Sequence, residues 1–263
     1  MKNCLIGYTG FVGSNLLRQF EFEKLFRSIN IDNIKGKHFN LVVCAGAPGG
    51  KWIANLNPDD DKRRIEFLIR NLKTIKCRTF VLISTADVFK LPQGVDEASE
   101  TDELGLHPYG LNRRALEKFV QKNFPSHLIV RLPGLVGPGL RKNVIFDFLN
   151  NNNLNLIDCR AVYQFYPIEN LWRDISIALK EKLKLVHLTS EPISVSKIAL
   201  HGFRQSFSHK LNNIPACYDM RTRHGKLFGS KGYYQYGCQA TIEKIKAYIE
   251  SEPLTIFPVS KKL

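Results

Sequence analysis

The chain has 263 residues, 44% of them hydrophobic and 24% charged, a balance that suits a globular body with a sizeable core and gives no case for disorder. No apolar run nears the roughly 18 residues a membrane span needs, and the opening MKNCLIGYTG passes from one Lys straight into a Gly-rich turn, so a cytoplasmic protein, neither inserted nor exported, is expected. The formal charge of +14 suits nucleic acid or a substrate carrying several phosphates; the basic residues are scattered from Lys2 to Lys262 with no RNA-binding signature, which sets nucleic acid aside as a partner.

The first half alternates short apolar runs with amphipathic segments, the pattern of a parallel sheet covered by helices. CLIG reads as a first strand, and Phe11, Val12, Leu16, Leu17 and Phe20 recur at near-helical spacing, giving a first helix over residues 11 to about 20. KLFRS is a short second strand and FNLVVCAGA a third, continuously apolar as a strand buried on both faces should be. Residues 58–76 place Ile65, Leu68, Ile69 and Leu72 on one stripe, with Asp59, Asp60 and Asp61 in the first turn of that helix. TFVLIST is the fourth strand, residues 90–107 a polar loop, Tyr109 to Asn123 a helix, and SHLIVRLPG a fifth strand ending at Pro133. Beyond it VIFDFLNN, ENLWRDISIALKE, SVSKIALHGF and ATIEKIKAYIESE read as helices, KLVHLTS as one more strand, and GKLFGSKGYYQYGC as an irregular lobe. The expected architecture is a Rossmann-like, doubly wound α/β sheet in one compact unit, with a dinucleotide-binding core over 1–140 and a smaller substrate lobe with returning core elements over 141–263.

Gly7, Gly10 and Gly13 form G-x-x-G-x-x-G between the first strand and the first helix. In such a turn one glycine permits the bend, one lets the backbone approach a pyrophosphate, and one lets the helix pack on the sheet, while free N–H groups at the helix start attract phosphate. The cofactor's 2′ position is read at the end of the second strand, where Arg27 and Ser28 favour NADP over NAD; Asp32 is the acidic alternative if that strand runs longer. Ser84, Thr85, Ala86, Asp87, Val88 and Phe89 follow the fourth strand, at the edge where open α/β sheets hold ligands, and Arg113 lies one helical turn beyond Tyr109. The six cysteines show no C-x-x-C spacing and read as free thiols, and neither they nor His107 group at metal-ligand spacing, so no metal is expected.

Together, G-x-x-G-x-x-G, the S-T-A-D-V-F segment, a Tyr opening the later helix, RLPGLVGPGLRKN and FYPIENLWRDI resemble the extended short-chain dehydrogenase/reductase family of nucleotide-sugar epimerases, dehydratases and reductases. The resemblance covers residues 1–180 closely and the last third loosely. It implies hydride transfer with a nicotinamide, Tyr109 as acid/base, and Thr85 holding the substrate oxygen. It also implies cofactor contacts from Gly7, Thr9, Gly10, Phe11, Val12, Gly13, Arg27, Ser28, Ala45, Gly46, Ala47, Tyr109, Arg113 and Pro133, a substrate contact from Asn143, and pairing of copies into a homodimer through the two central helices. A phenol of pKa about 10 needs a neighbouring positive charge to ionise near neutrality. The family places a Lys four residues after the Tyr; this chain has Arg113, which supplies charge and can fork onto ribose hydroxyls but has a wider planar head. That departure, and a C-terminal lobe that reads as short for the family, keep a second reading open: a catalytically degenerate NADP-binding sensor or interaction protein.

Overall fold

The computed structural model describes residues 1–252, so residues 253–263 of the expected lobe lie outside the described residues. The chain runs β1 (Lys2–Ile6), α1 (Phe11–Leu17), β2 (Lys24–Phe26), β3 (His38–Cys44), α2 (Lys51–Leu56), α3 (Pro58–Leu72), β4 (Lys76–Thr85), β5 (Gln93–Val95), α4 (Pro108–Asn123), β6 (His127–Leu132), β7 (Gly134–Val136) and α5 (Val144–Leu149). It continues through β8 (Val162–Tyr163), β9 (Phe165–Pro167), α6 (Leu171–Lys180), β10 (Leu185–His187), β11 (Ile193–Ser194), α7 (Val195–Phe203), β12 (Asp219–Met220) and α8 (Cys238–Ser251). Six strands form one parallel sheet in the order β10-β6-β4-β3-β1-β2. Successive residues of a strand face opposite sides, and the packing follows that period of two. Cys4, Ile6, Val42, Cys44, Phe80 and Leu82 meet Leu68 and Leu72 of α3 and Leu116 and Val120 of α4, whereas Leu5, Val43, Val81 and Val130 meet Leu16 of α1 and Ile175 of α6 on the other face.

Chain order reverses at β1, which pairs with β2 on one side and β3 on the other, so the crevice between the turns after β1 and β3 is the switch point of the sheet. The Ala45 N–H donates to the Ile6 carbonyl at 2.9 Å and the Gly7 N–H to the Phe26 carbonyl at 2.7 Å, which draws the ends of β1, β2 and β3 into one wall. A separate apolar cluster joins α5, α7 and α8 through Ile145, Phe148, Ile198 and Ile245.

Several elements depart from the sequence pattern. The second strand stops at Phe26, and the helix expected to reach residue 76 stops at Leu72, because the turn at Lys73–Ile75 feeds β4, which starts early at Lys76. Residues 51–56 form the unanticipated α2, too short to show a helical period. The polar loop after residue 90 contains β5, which pairs with β12 from the C-terminal third, and the expected fifth strand breaks at Pro133, which supplies no ladder N–H, so β7 peels away to pair with β9. With β8 and β11 also paired, the C-terminal half holds several two- and three-residue strands where one was expected; runs that brief carry no readable alternation.

Candidate active site

The glycine turn is fixed by contacts within the backbone. Gly7 has φ +85°, and a Cβ there would lie 2.3 Å from the Ala45 carbonyl oxygen; a Cβ on Gly13 would lie 2.1 Å from the Gly7 carbonyl oxygen. Neither position accepts a side chain. Gly10 differs: it is exposed, and an added Cβ would find only the Gly7 oxygen, at 3.4 Å. Two glycines therefore serve the turn itself, and the third leaves an open surface beside the first turn of α1, whose leading N–H groups have no helical acceptor. Thr9 is exposed there, Phe11 and Val12 are half-buried, and Ala45, Gly46 and Ala47 form the facing wall after β3. Arg27 and Ser28 follow directly on Phe26, whose carbonyl anchors the turn, while Asp32 sits on a short helical turn with its carboxylate 2.8 Å from Lys35.

At the carboxyl end of β4, Thr85 caps the single turn over 86–88, accepting from the Asp87 N–H at 3.1 Å and donating to the Asp87 carboxylate at 3.3 Å. Helix α4 is pressed against this turn because Gly110 has no side chain: a Cβ there would lie 2.3 Å from the Asp87 carbonyl oxygen. The helix starts at Pro108, and His107 Nδ1 accepts the Gly110 N–H at 3.0 Å, so that nitrogen carries no proton. Burial and the Lys51 charge hold His107 below its ordinary range. Tyr109 is thereby buried beside Thr85, with its N–H on the Asn55 side chain at 3.0 Å. Burial pushes its phenol up; Arg113, the hydrogen bond with Thr85 and Lys51 pull the other way, and Asp87 adds to the rise.

Arg113 is buried, and its guanidinium carbon stands 3.9 Å from the centre of the Tyr109 ring. Its fork does not open toward a ligand: Nη1 donates to the Asp61 carboxylate and Nη2 to the Pro48 carbonyl. The buried Nε has no partner among the described residues. The resemblance led to the expectation of a fork on ribose hydroxyls, and the structure instead presents a cation fixed by the protein that touches the tyrosine through its ring face. Asn143 is likewise engaged: with φ 90° it caps α5, accepting from the Ile145 N–H at 2.9 Å and donating to the Leu135 carbonyl at 2.9 Å. Pro133 lies between β6 and β7, half-buried.

Three residues that sequence reasoning passed over complete the cluster. Lys51 places its ammonium 2.6 Å from Asp87 and 3.0 Å from the Tyr218 hydroxyl, which itself donates to Asp87 at 2.8 Å. Lys142, beside Asn143, donates to the Gly49 carbonyl. Lys51 was detectable in principle, since it follows Gly49-Gly50 just after a strand end; Tyr218 arrives through the β5–β12 pairing, which no local pattern reveals.

No protein-family model matches this sequence, and no curated protein does. Solved structures do match. The chain superposes on a dTDP-4-dehydrorhamnose reductase of Clostridium acetobutylicum with a TM-score of 0.72 at 18% identity, covering 95% of this chain and 99% of that one. A dTDP-4-dehydrorhamnose reductase of Bacillus anthracis in complex with NADP gives 0.71 at 16% identity over 95% and 98% of the two chains. A UDP-glucuronic acid 4-epimerase of Bacillus cereus in complex with NAD gives 0.69 at 18% identity over 95% and 96%. The Rossmann-like α/β fold is thus that of these reductases and epimerases. The C-terminal lobe is not short beside them, which corrects the expectation drawn from chain length: residues past 180 share the fold even though their sequence resembles it loosely. No described helix is long and apolar enough to cross a membrane.

Proposed function

We propose that this chain is an NAD(P)-dependent oxidoreductase or epimerase acting on a carbonyl or hydroxyl of a nucleotide-linked sugar, with Tyr109 as proton donor or acceptor. The observation that carries the reading is the convergence of Thr85 and a buried Tyr109 at the carboxyl end of β4, next to the switch point where the glycine turn lies open. The residues present fit a dinucleotide: Gly10 leaves room for a pyrophosphate at the start of α1, Arg27 and Ser28 follow the end of β2, where a 2′-phosphate would be met, and Ala45 to Ala47 face the glycine turn after β3. When bound, the nicotinamide gives or takes the hydride.

The protein's own part is positional and electrostatic. Thr85 polarises the sugar oxygen, and the Tyr109 phenol passes a proton to it or takes one from it, within a pocket whose Arg113 and Lys51 charges offset part of the cost of ionising a buried phenol. The core over 1–140 holds the cofactor in this reading, and 141–263 shapes the substrate side. The closed fork of Arg113 favours a second reading, a binder without turnover. Fluorescence titration with NADPH and NADH, followed by a screen of nucleotide sugars, separates them. In the enzyme reading Tyr109→Phe keeps cofactor affinity within about twofold and lowers kcat by about a thousandfold, within the range for loss of a positioned acid/base. Cofactor binding with no turnover of any nucleotide sugar supports the binder instead.

A further inference from the structure

The segment from Pro48 to Lys51 gathers three cations along four residues. The Pro48 carbonyl takes the Arg113 guanidinium, the Gly49 carbonyl takes the Lys142 ammonium, and Lys51 reaches Asp87 from the first position of α2. Two of the three have a carboxylate: Arg113 has Asp61 and Lys51 has Asp87. Lys142 forms no ion pair with any described residue, and its best acceptor is a neutral carbonyl. Desolvation of the amine and the Arg113 charge push it down and Asp87 partly opposes them, while the residue as a whole stays exposed and so open to an incoming anion. Its backbone is held by the cap at Asn143, which fixes the root of the side chain.

We infer that Lys142, with Lys51 opposite, binds an oxyanion carried on the sugar of the substrate, a carboxylate near the reacting carbon, so that the substrate class is an acidic nucleotide sugar. The inference rests on the function proposed above, which places the reacting oxygen at Thr85. Lys51 borders that position, because it shares Asp87 with the Thr85 hydroxyl and with Tyr218, and Lys142 joins the same segment two residues before Lys51, at the Gly49 carbonyl, within the field of Asp87. The diphosphate of the same molecule would lie a sugar ring away. A carboxylate here would replace the neutral Gly49 acceptor with a charged one, turning an ion–dipole contact into an ion pair.

The test is isothermal titration of NADPH-loaded protein with UDP-glucuronate and UDP-glucose, and with the corresponding dTDP-linked pair, in the wild type, Lys142→Gln and Lys142→Arg. The acidic member of a pair binds at least about tenfold tighter than the neutral one in the wild type, as loss of one charge-assisted contact implies. Lys142→Gln brings the ratio to near one by weakening the acidic sugar alone, and Lys142→Arg retains most of the preference. Equal affinities in the wild type, or no binding of either pair, overturn the inference. So does an equal loss for both sugars in Lys142→Gln, which would assign the lysine to the diphosphate. Failure of NADPH to bind the wild type removes the functional reading and this inference with it.

Discussion

The two ends of the crevice are built on different physics. The glycine turn is held by backbone atoms pressed together, with Gly7 and Gly13 in places where a single Cβ would strike a carbonyl oxygen. The Tyr109 end is held by side-chain charge: Asp61 binds Arg113, Asp87 binds Lys51 and Tyr218, and partners lie 36 to 131 residues apart in sequence. The first kind of site is rigid before any ligand arrives. The second depends on every charge keeping its partner in a poorly hydrated place.

The largest effect is therefore expected at the charged end. Asp61→Ala removes the carboxylate from a buried Arg113 and leaves Asn112, which donates to Asp61 at 2.7 Å, without its acceptor. Breaking a buried pair by deleting one member costs about 3 to 5 kcal/mol, so thermal or urea unfolding should show a loss of that order. A loss below about 1 kcal/mol, the range of exposed pairs, would mean that water reaches the guanidinium and that the two ends do not differ as described.

The glycine turn is tested by contrast between neighbours. Gly13→Ala is expected to cost about 3 kcal/mol, the upper end for overpacking, because its Cβ would meet the Gly7 oxygen at 2.1 Å and backbone cannot yield as a side chain does. Gly10→Ala should stay within about 1 kcal/mol of the wild type in unfolding, the cost of a poorer helix cap. In the same variant NADPH affinity should fall about tenfold, since in the proposed binding mode the methyl would occupy the approach of the pyrophosphate. If both variants unfold alike, the division of labour among the three glycines is wrong.

The same contrast explains what the sequence made legible. The strands and helices of the parallel sheet show through because their burial alternates within a few residues, and Gly7, Gly10 and Gly13 show through because the turn is a local steric problem. Thr85 and Tyr109 were readable by spacing and resemblance, and the structure brings them together. Lys51, Lys142 and Tyr218 were not, since a surface lysine and one reaching a carboxylate look the same along the chain. Asp61 was noted only as the last of three acids in a helix's first turn; its burial against Arg113 emerges only when α3 and α4 pack side by side. Arg113 itself was visible as a departure, but the direction of its fork was not.

A pH profile sharpens the electrostatic side. Burial raises the Tyr109 phenol above its ordinary value, more than Arg113 lowers it, so the protonated form persists through neutral pH. In the proposed carbonyl reduction, a Tyr109 that donates the proton would work below its folded pKa and fail above it. The alkaline limb of kcat/KM for reduction should thus fall about tenfold per pH unit only beyond the ordinary tyrosine value of about 10. Oxidation of the alcohol needs the phenolate and should rise through that same pKa. A limb near neutrality would show that Arg113 governs the phenol despite its ring-face contact.

The smallest effect concerns cofactor choice, and it draws on the rigid end. Arg27 follows the residue whose carbonyl anchors Gly7, and its side chain forms no ion pair with any described residue, whereas Asp32 is already engaged by Lys35 on the surface. A half-exposed arginine meeting a phosphate is worth about 1 kcal/mol, because solvent screens the pair. Arg27→Ala should then weaken NADPH by about fivefold, leave NADH unchanged, and show a smaller gap between the two cofactors as salt is added. If Arg27→Ala leaves the ratio where it was and Asp32→Ala weakens NADH instead, the second strand effectively extends beyond Phe26 when cofactor binds, and the turn after it is less fixed than the glycines it adjoins.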